Sequence, residues 1–208
     1  MTASAGQVDG RNARRDRNTD AVLDAANQLF EEGNLVPTAE QVAFRSGVSL
    51  RSVYRYFEDT EALLRAAIAR RVAVVEPLFV LPGVGEGPLP QRISRLVEHR
   101  LALYTSMGPA VRAALLRAPQ APPIAEQMAR RRQQLTAQLE QHFAPELKAL
   151  GKADGAALLT CIDALCQFEA MDHLRTHRKL SAARARRTLA AGITALLAAA
   201  PHDSDSDD

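Results

Sequence analysis

The segment from Ser46 to Phe57, SGVSLRSVYRYF, places two arginines and three aromatic rings in one short stretch of chain. Arg51 and Arg55 are four residues apart, so in a helix their guanidinium groups share a face and repel each other by roughly 0.2–0.5 kcal/mol. A phosphate polyanion turns that repulsion into attraction, and an arginine can also read guanine in a major groove. Neighbouring tyrosines supply hydroxyl donors for phosphates. These residue types at this spacing indicate recognition of duplex nucleic acid.

Three helices are predicted to position these side chains, at 19–32, 38–46 and 49–57. Apolar residues recur at helical spacing in the first helix. The second opens on Thr38 with a capping-box pattern, and a serine can cap the third. A tight turn containing Gly47 joins the last two helices, which is the arrangement of a helix-turn-helix.

The third helix is predicted to have an apolar face toward its own bundle and a polar face toward a partner. Val48, Val53 and Phe57 are expected to point inward. The outward residues are Arg51, Ser52 and Arg55, with Tyr54 and Tyr56 on the flanks. The Thr38 hydroxyl and the amide end of its helix can hold a further phosphate. Residues 1–71 contain equal numbers of basic and acidic side chains, so the inference depends on where the charges lie.

Composition limits the classes of protein that the chain can belong to. It has 208 residues, a net charge of +2 and a hydrophobic fraction of 47%, which suffices for a core but says little about partners. The two cysteines, Cys161 and Cys166, lie in an apolar helical stretch about 140° apart around the helix, so we expect packed thiols and no disulfide. No apolar leader and no membrane-length apolar run is evident. A cytoplasmic protein without a membrane partner is expected.

A longer segment resembles a known family. The stretch TDAVLDAANQLFEEGNLVPTAEQVAFRSGVSLRSVYRYFEDTEALLRAA is similar to the DNA-binding domain of the tetracycline-repressor (TetR) family of bacterial transcriptional regulators. The elements AANQLFEEG, TAEQVAFRSGVS, VYRYF and EALL occur at family spacing over about 50 residues. The remainder has a suitable length and helix content but no diagnostic motif.

The resemblance implies roles for particular residues. Phosphate contacts are implied for Thr38, Tyr54 and Tyr56. Positions in or beside the groove are implied for Leu50, Arg51, Ser52 and Arg55, with Arg51 the expected base reader. Thr60 stands where the family often has lysine at the start of the fourth helix, so a charged phosphate contact is weakened there. A basic arm containing Arg11, Arg14 and Arg15 can compensate along the backbone or in the minor groove.

The expected fold class is all-α, with about nine helices. The predicted organisation is a disordered basic arm at 1–15, a helix-turn-helix domain at 16–70, a larger ligand-binding and dimerisation domain at 71–200, and a disordered acidic tail at 201–208. Asp59 or Thr60 is expected to cap a fourth helix that runs to about Val80. After a glycine- and proline-rich break at 81–90, further helices are predicted at 90–106, 109–117, 123–143, 154–176 and 181–199.

The larger domain is predicted to hold an apolar ligand pocket and a dimer interface. Methionines and scattered aromatic side chains suit an adaptable cavity. The candidate lining residues are His99, Leu103, Tyr104, Met107, Met128, Leu135, Phe143, Phe168 and Met171. The resemblance implies that the last two helices form a four-helix bundle with a second copy, and apolar residues predict this seam. They are Leu158, Ile162, Leu165, Leu189, Ile193, Leu196 and Leu197. Internal packing of these helices is the alternative.

Chemistry other than DNA binding finds little support in the sequence. His173 and His177 have a spacing that can chelate zinc, but flanking basic residues indicate an exposed helix end, so no metal and no cofactor is expected. The GVGEG stretch lacks the strand and lysine of a phosphate-binding loop. The sequence therefore predicts a homodimeric repressor, not an enzyme, that leaves a palindromic operator when an unknown small molecule binds. A small-molecule binder or an activator on the same scaffold is the alternative.

Overall fold

The computed structural model describes residues 5–199, with side chains from residue 12 onward. Within this range the chain forms ten α-helices and no strand, so the all-α prediction is confirmed. The helices are α1 Ala5–Glu31, α2 Ala39–Ser46, α3 Leu50–Tyr56, α4 Thr60–Val74, α5 Leu89–Arg117, α6 Pro122–His142, α7 Ala144–Ala149, α8 Gly151–Cys166, α9 Phe168–Asp172 and α10 Ala182–Ala199. A 3₁₀ turn at Glu76–Phe79 and a π-helical turn at His173–His177 complete the order. The predicted acidic tail, 201–208, lies outside the described residues.

The chain divides into two compact units. Unit 1 comprises Met1–Val74 and Pro109–Ala125, and unit 2 comprises Val75–Gly108 and Glu126–Asp208. Helix α5 therefore contributes its last residues to unit 1, and α6 contributes its first residues there. The predicted domain boundary near residue 70 assigned all of residues 71–200 to the second domain, whereas residues 109–125 belong to unit 1.

Unit 1 has a core built from the inward faces of its helices. On α1 the apolar stripe that the sequence indicated is buried, with Val22 and Ala26 at 0% exposure and Phe30 at 1%. Val42 of α2 and Leu63 of α4 are also fully buried. Burying a valine, leucine or phenylalanine side chain stabilises the fold by about 1.5–3 kcal/mol, which orders helices that are too short to be stable alone.

Helix α1 begins at Ala5, so residues 5–15 are helical and the prediction of disorder over this range was wrong. Residues 11–17 contain no glycine or proline. Once the packed part of a helix has formed, adding residues to it is far easier than starting a new helix. The helix therefore extends beyond its apolar stripe. Arg14 and Arg15 of the predicted arm are exposed on it, while the Arg11 side chain lies outside the described residues.

Arg117, near the end of α5, holds the returning segment within unit 1. Its guanidinium is 7% exposed and donates from Nη1 to the Leu35 carbonyl at 3.0 Å and to the Ala113 carbonyl at 2.8 Å. Its Nε lies 3.4 Å from Glu61 Oε2, and its Cζ lies 5.9 Å from the centre of the Phe30 ring. One buried arginine thus joins α5 to α1, α4 and the turn before α2. No periodic pattern in the sequence predicted this contact.

Three predicted helix boundaries were wrong, each because of a particular residue. The helices expected at 90–106 and 109–117 are one helix that contains Pro109. Burial of Ala110, Ala113 and Ala114 beyond the proline continues the helix despite a cost of about 3 kcal/mol. Helix α4 stops at Val74 instead of about Val80 because Pro77 cannot extend an α-helix.

The third boundary concerns the helix predicted at 154–176, which is interrupted at Gln167. This residue has an extended backbone, with φ −71° and ψ 157°, and its side chain donates back to Asp163 Oδ2 at 2.9 Å.

A proline-containing stretch that was expected to be only a break forms α7 instead, with the proline in the first turn, where its missing N–H is harmless. Helix α7 approaches α8 closely because Gly155 has no side chain: a Cβ there would lie 2.5 Å from the Leu147 carbonyl oxygen.

Unit 2 contains one large buried cluster in which α5, α6, α8 and α10 meet. Leu158 and Ile162 of α8 and Leu189, Ile193 and Leu197 of α10 belong to it, while Leu165 and Leu196 are half-buried against it. The apolar seam predicted between these helices is therefore packed within the chain. The same cluster includes Tyr104, Phe143 and Met171 from the predicted pocket.

The glycine- and proline-rich stretch 81–90 is held against α5 and α6 by side chains of those helices. Arg95 Nη1 donates to the carbonyls of Gly83 and Glu86, at 2.5 and 3.0 Å, and Arg92 Nε donates to that of Gly87 at 3.1 Å. His142, fully buried, accepts from the Gly85 amide at Nδ1 (3.1 Å), and its Nε2 lies 3.0 Å from the Arg92 carbonyl. Because Nδ1 accepts, the ring is neutral with its proton on Nε2. The stretch is an anchored loop of unit 2.

Burial lowers the pKa of His142 from its ordinary value of 6.5, and the nearby positive charges of Arg92, Arg95 and Arg100 lower it further, against the bond to the Arg92 carbonyl. His142 therefore binds a proton more readily in the unfolded chain than in the folded chain. As a result, the free energy of unfolding falls as pH drops below about 6.5. We expect the melting temperature to fall between pH 7.5 and 5.

The pH dependence of His142→Gln should be shallower than that of the wild type in a thermal-unfolding series. His99, whose pKa burial also lowers, contributes the remainder. The exposed His177 serves as the matched control, and His177→Gln should keep the wild-type slope. Equal slopes for His142→Gln and wild type would contradict the assignment.

Candidate nucleic-acid interface

The turn between α2 and α3 has the backbone geometry of a helix-turn-helix. Gly47 ends α2 with φ +68°, a left-handed conformation that strains other residues. Two residues later the Ser49 hydroxyl accepts from the Ser52 amide at 3.3 Å and so begins α3. Val48 between them is buried at 9% exposure. A left-handed glycine, a buried valine and a serine cap thus fix the angle between the two helices.

The capping box predicted at the start of α2 is present. The Thr38 hydroxyl accepts from the Gln41 amide at 3.3 Å, and the Gln41 carboxamide oxygen accepts from the Thr38 amide at 2.9 Å. Asn34 Nδ2 donates to that same oxygen at 3.0 Å. The Thr38 side chain remains exposed, so a partner can reach the amino-terminal end of α2.

Helix α3 divides its side chains between core and solvent as its sequence indicated. Val53 is 1% exposed and Phe57 is half-buried. Arg51, Tyr54 and Arg55 are exposed, and Tyr54 retains 48% of its accessible surface. Leu50, Ser52, Tyr56 and Thr60 are partly exposed. The helix therefore presents a surface of two guanidinium groups and two phenols.

The two arginines differ in what they contact. Arg55 Nη2 donates to Tyr56 Oη at 3.1 Å and to Ser52 Oγ at 3.4 Å, and its Cζ lies 5.1 Å from the centre of the Tyr56 ring. Arg51 makes no hydrogen bond or ion pair with any residue that the structure describes. One guanidinium is thus held beside the tyrosine, and the other is free to move toward a partner.

Asn18 of α1 positions the Tyr56 phenol, and sequence reasoning missed it. Its Nδ2 donates to Tyr56 Oη at 3.3 Å. Donation from Asn18 and then from Arg55 lowers the pKa of Tyr56 below its ordinary value of 10.0. Since the phenol oxygen accepts both bonds, its own hydrogen remains available for donation.

Four acidic side chains of unit 1 are paired with arginines outside α3. Arg70 of α4 contacts Asp20 and Asp24 of α1, each at 2.7 Å. Arg71 lies 3.1 Å from Glu31, and Arg45 of α2 makes two bonds of 2.7 Å to Glu32. Neither arginine of α3 takes part in these pairs.

The start of α4 differs from what a lysine would provide. The Asp59 carboxylate accepts from the Ala62 amide at 2.6 Å, so Asp59 is the cap and Thr60 is the first helical residue. Thr60 therefore offers a hydroxyl but no charge.

Sequence reasoning also missed Phe44 on α2, which is 92% exposed. Its position directly after the buried pair Val42 and Ala43 is the signal that could have found it.

The predicted ligand residues all lie in unit 2 but differ in their surroundings. Leu103, Tyr104, Met107, Phe143 and Met171 are buried, whereas His99, Met128, Leu135 and Phe168 are half-buried. Tyr104 and Phe168 lie with ring centres 5.3 Å apart, and Tyr104 Oη donates to Asp172 Oδ1 at 2.9 Å. The structure brings the two rings together and places Phe143 and Met171 in the same cluster.

Several other expectations concern metals, thiols and membranes. Over the described residues, no group of three histidine, cysteine or acidic side chains is arranged to hold a metal ion. His173 and His177 stack at 6.0 Å in the exposed π-helical turn. Both cysteines are free, Cys161 exposed and Cys166 buried. Among the helices that the structure describes, none is both long and apolar enough to cross a bilayer.

Two helices joined at a left-handed glycine, with an exposed arginine face on the second, form the arrangement of a DNA-binding helix-turn-helix. Residues 22–67 match the sequence model of the family described as bacterial regulatory proteins, tetR family. The matched segment runs from α1 to α4 and includes both helices of the helix-turn-helix. No curated protein matches the sequence closely enough to count as a relative.

Three solved structures share the fold. A tetR-family transcriptional regulator from Streptomyces coelicolor superposes with a TM-score of 0.65 at 22% identity, covering 91% of this chain and 82% of that one. A protein of Mesorhizobium loti assigned to the same family gives 0.62 at 17% identity, with coverages of 89% and 97%. A protein of Pseudomonas aeruginosa assigned as a transcriptional regulator gives 0.60 at 16%, with coverages of 91% and 93%.

The contact between Asn18 and Tyr56 can be tested without DNA. In Asn18→Ala the pKa of Tyr56 should rise toward its ordinary value because the first donor to the phenolate is lost, although Arg55 continues to donate. The measurement is an NMR titration with ¹³C-labelled tyrosine, which is practical because the chain has three tyrosines. The neighbouring Thr19→Ala should leave the pKa of Tyr56 unchanged. An identical pKa in Asn18→Ala and wild type would show that the contact does not form in solution.

Proposed function

We propose that this protein is a transcriptional regulator, a homodimeric repressor that binds a palindromic operator through α3 and is released when a small molecule binds in unit 2. The observation that carries the proposal is the unpaired guanidinium of Arg51 on the exposed face of the second helix of a helix-turn-helix. In a helix-turn-helix this second helix enters the major groove.

The contacts assigned to α3 separate base reading from phosphate binding. Arg51 reads a base edge, since its donors are uncommitted and guanine offers two acceptors in the major groove. Arg55 lies beside the groove, where its bonds to Ser52 and Tyr56 restrict its reach. Leu50 and Ser52 flank Arg51, each about 100° around the helix from it. A leucine in this position suits contact with a thymine methyl group.

Phosphate contacts are assigned to Thr38, Tyr54 and Tyr56. The Tyr56 hydroxyl accepts two protein bonds and therefore directs its own hydrogen outward. Thr38 stands at the amide end of α2, where free N–H groups favour an anion. Thr60 adds at most a hydroxyl contact, and the exposed Arg14 and Arg15 supply positive charge along the backbone instead.

Dimerisation is assigned to the outer faces of α8 and α10. Their leucines and isoleucines already pack within the chain, but each helix also carries exposed small residues at helical spacing. These are Ala157, Thr160, Cys161 and Ala164 on α8, and Thr188, Ala191, Ala195 and Ala198 on α10. Small side chains allow helices of two protomers to approach closely. Such a dimer would present two recognition helices to half-sites roughly 34–36 Å apart.

Release requires a ligand that prefers the conformation unable to bind the operator. The ligand is assigned to unit 2, where the predicted lining residues lie. The chain passes from unit 2 to unit 1 inside α5, between Gly108 and Pro109. A helix that belongs to both units gives ligand binding a continuous element through which to act. Small displacements suffice, since hydrogen bonds to bases and phosphates tolerate little misalignment.

The experiment that tests the whole proposal is selection of bound sequences from random duplex DNA by the full chain. A palindrome with half-sites one helical turn apart is expected, and affinity should fall with salt by a slope of about −0.9 per phosphate contact. Repeating the selection with candidate ligands identifies those that release the operator. Recovery of no preferred sequence would refute operator recognition.

Replacing the proposed base reader should weaken binding to the selected operator. Arg51→Ala should cost about 1–3 kcal/mol of binding free energy and relax the preference at one position of each half-site. Fluorescence anisotropy with the selected duplex and its single-position variants measures both effects. Arg130, exposed on α6 in unit 2, is the matched control, and Arg130→Ala should bind as wild type. Unchanged affinity and specificity in Arg51→Ala would exclude the assigned role.

A bulky charge on the small-residue face should separate the dimer. In Ala164→Arg the guanidinium would have to be buried between protomers, so sedimentation should give a monomer and operator affinity should fall at least tenfold. Ala137→Arg, on the exposed face of α6, should remain dimeric. A dimer of unchanged stability in Ala164→Arg would move the interface elsewhere.

A further inference from the structure

Arg100 of α5 is a buried arginine with incomplete bonding. It is 2% exposed, and its Nη2 donates to the Leu135 carbonyl of α6 at 3.0 Å. Its Nε and Nη1 are buried and have no hydrogen-bond partner among the residues that the structure describes. An arginine remains charged in proteins, and burying a charge without a partner is costly. Two of its three nitrogens therefore lack a hydrogen-bond acceptor.

The acidic group near Arg100 does not bond to it. Asp163 of α8 lies close enough to favour the charged arginine, but its oxygens accept from Thr136 Oγ1 at 3.0 Å and from Gln167 Nε2 at 2.9 Å, and no hydrogen bond or ion pair joins it to Arg100. Burial raises the pKa of the Cys166 thiol to about 12, so that sulfur stays neutral. Desolvation correspondingly lowers the pKa of Arg100.

The helix face that carries Arg100 is otherwise apolar. Leu103, Tyr104 and Met107 follow it by three, four and seven residues, so they share its side of α5, and all three are buried. The adjacent His99 has a buried Nδ1 without a partner among the described residues. A buried cation with free donors on a largely apolar helix face matches a molecule that has one acidic group on a hydrocarbon body.

We propose that Arg100 binds the carboxylate of a small, mainly apolar organic acid in unit 2, and that Leu103, Tyr104 and Met107 contact its hydrocarbon part. The inference rests on the proposed function in one respect, that this acid is the effector. It defines the chemical class of ligand, and it identifies a binding residue that the sequence motifs did not.

The test is calorimetric binding to the full chain without DNA, using acetate, butyrate, hexanoate and benzoate, each beside its neutral amide. A charge-assisted bond to a buried guanidinium should give at least one acid an affinity roughly tenfold or more above that of its amide. In Arg100→Met, which keeps the length but not the charge, this preference should disappear. Arg130→Met, changed at an exposed site on α6, should keep it.

No preference for acid over amide anywhere in the series overturns the proposal, and so does an equal preference in Arg100→Met and wild type. If Arg100→Met does not fold, the wild-type Nε–H resonance of Arg100 decides the question. It should move when the preferred acid is added and remain in place with the amide, and an unmoved resonance refutes the site.

Because DNA is absent from these measurements, the outcome is separate from that of the operator experiments. Acid binding through Arg100 without release of the operator would overturn the repressor mechanism and leave the site intact. Release of the operator by a neutral molecule, with no acid bound at Arg100, would overturn the site and leave the repressor mechanism intact.

Discussion

Burial of the inward faces of α1, α2, α3 and α4 is the interaction on which the amino-terminal unit depends, because it orders helices as short as α2 and α3. Ion pairs join the same part of the chain at its surface, from Arg70 to Asp20 and Asp24, from Arg71 to Glu31 and from Arg45 to Glu32. Each exposed pair contributes little to stability by itself, about 0–1 kcal/mol. Arg51 belongs to none of these pairs, so its guanidinium stays uncommitted on the exposed face of α3.

Among the described residues, the buried basic side chains differ in how fully they are bonded. Arg92 and His142 hold backbone groups through their donors and acceptors. Arg117 leaves only its Nε without a hydrogen bond, and that nitrogen lies 3.4 Å from Glu61 Oε2. Arg100 is equally buried, bonds through a single nitrogen and makes no ion pair, so its free donors in an apolar surrounding suit a ligand. The comparison among these arginines is what distinguishes a binding residue from a scaffold residue.

Much of the amino-terminal unit could be predicted because its signals are local. A capping box at Thr38, a left-handed glycine at 47 and a serine cap at 49 each act over three or four residues, so the sequence specifies them directly. The inward faces of α1 and α3 follow from helical spacing. Helix ends governed by long-range packing were predicted less well, as at Pro109, where buried alanines continue a helix that the local sequence would end.

The sequence by itself determined the fold class, the helix-turn-helix and the outward placement of Arg51 and Arg55, since these depend on periodicity and capping. Only the tertiary structure decided which charged groups meet, because residues such as Asn18 and Tyr56, or Arg117 and Leu35, are far apart in the chain. It also decided that Arg100 is buried without a full set of partners. Burial and pairing are properties of the packed molecule, and no local pattern in the sequence encodes them.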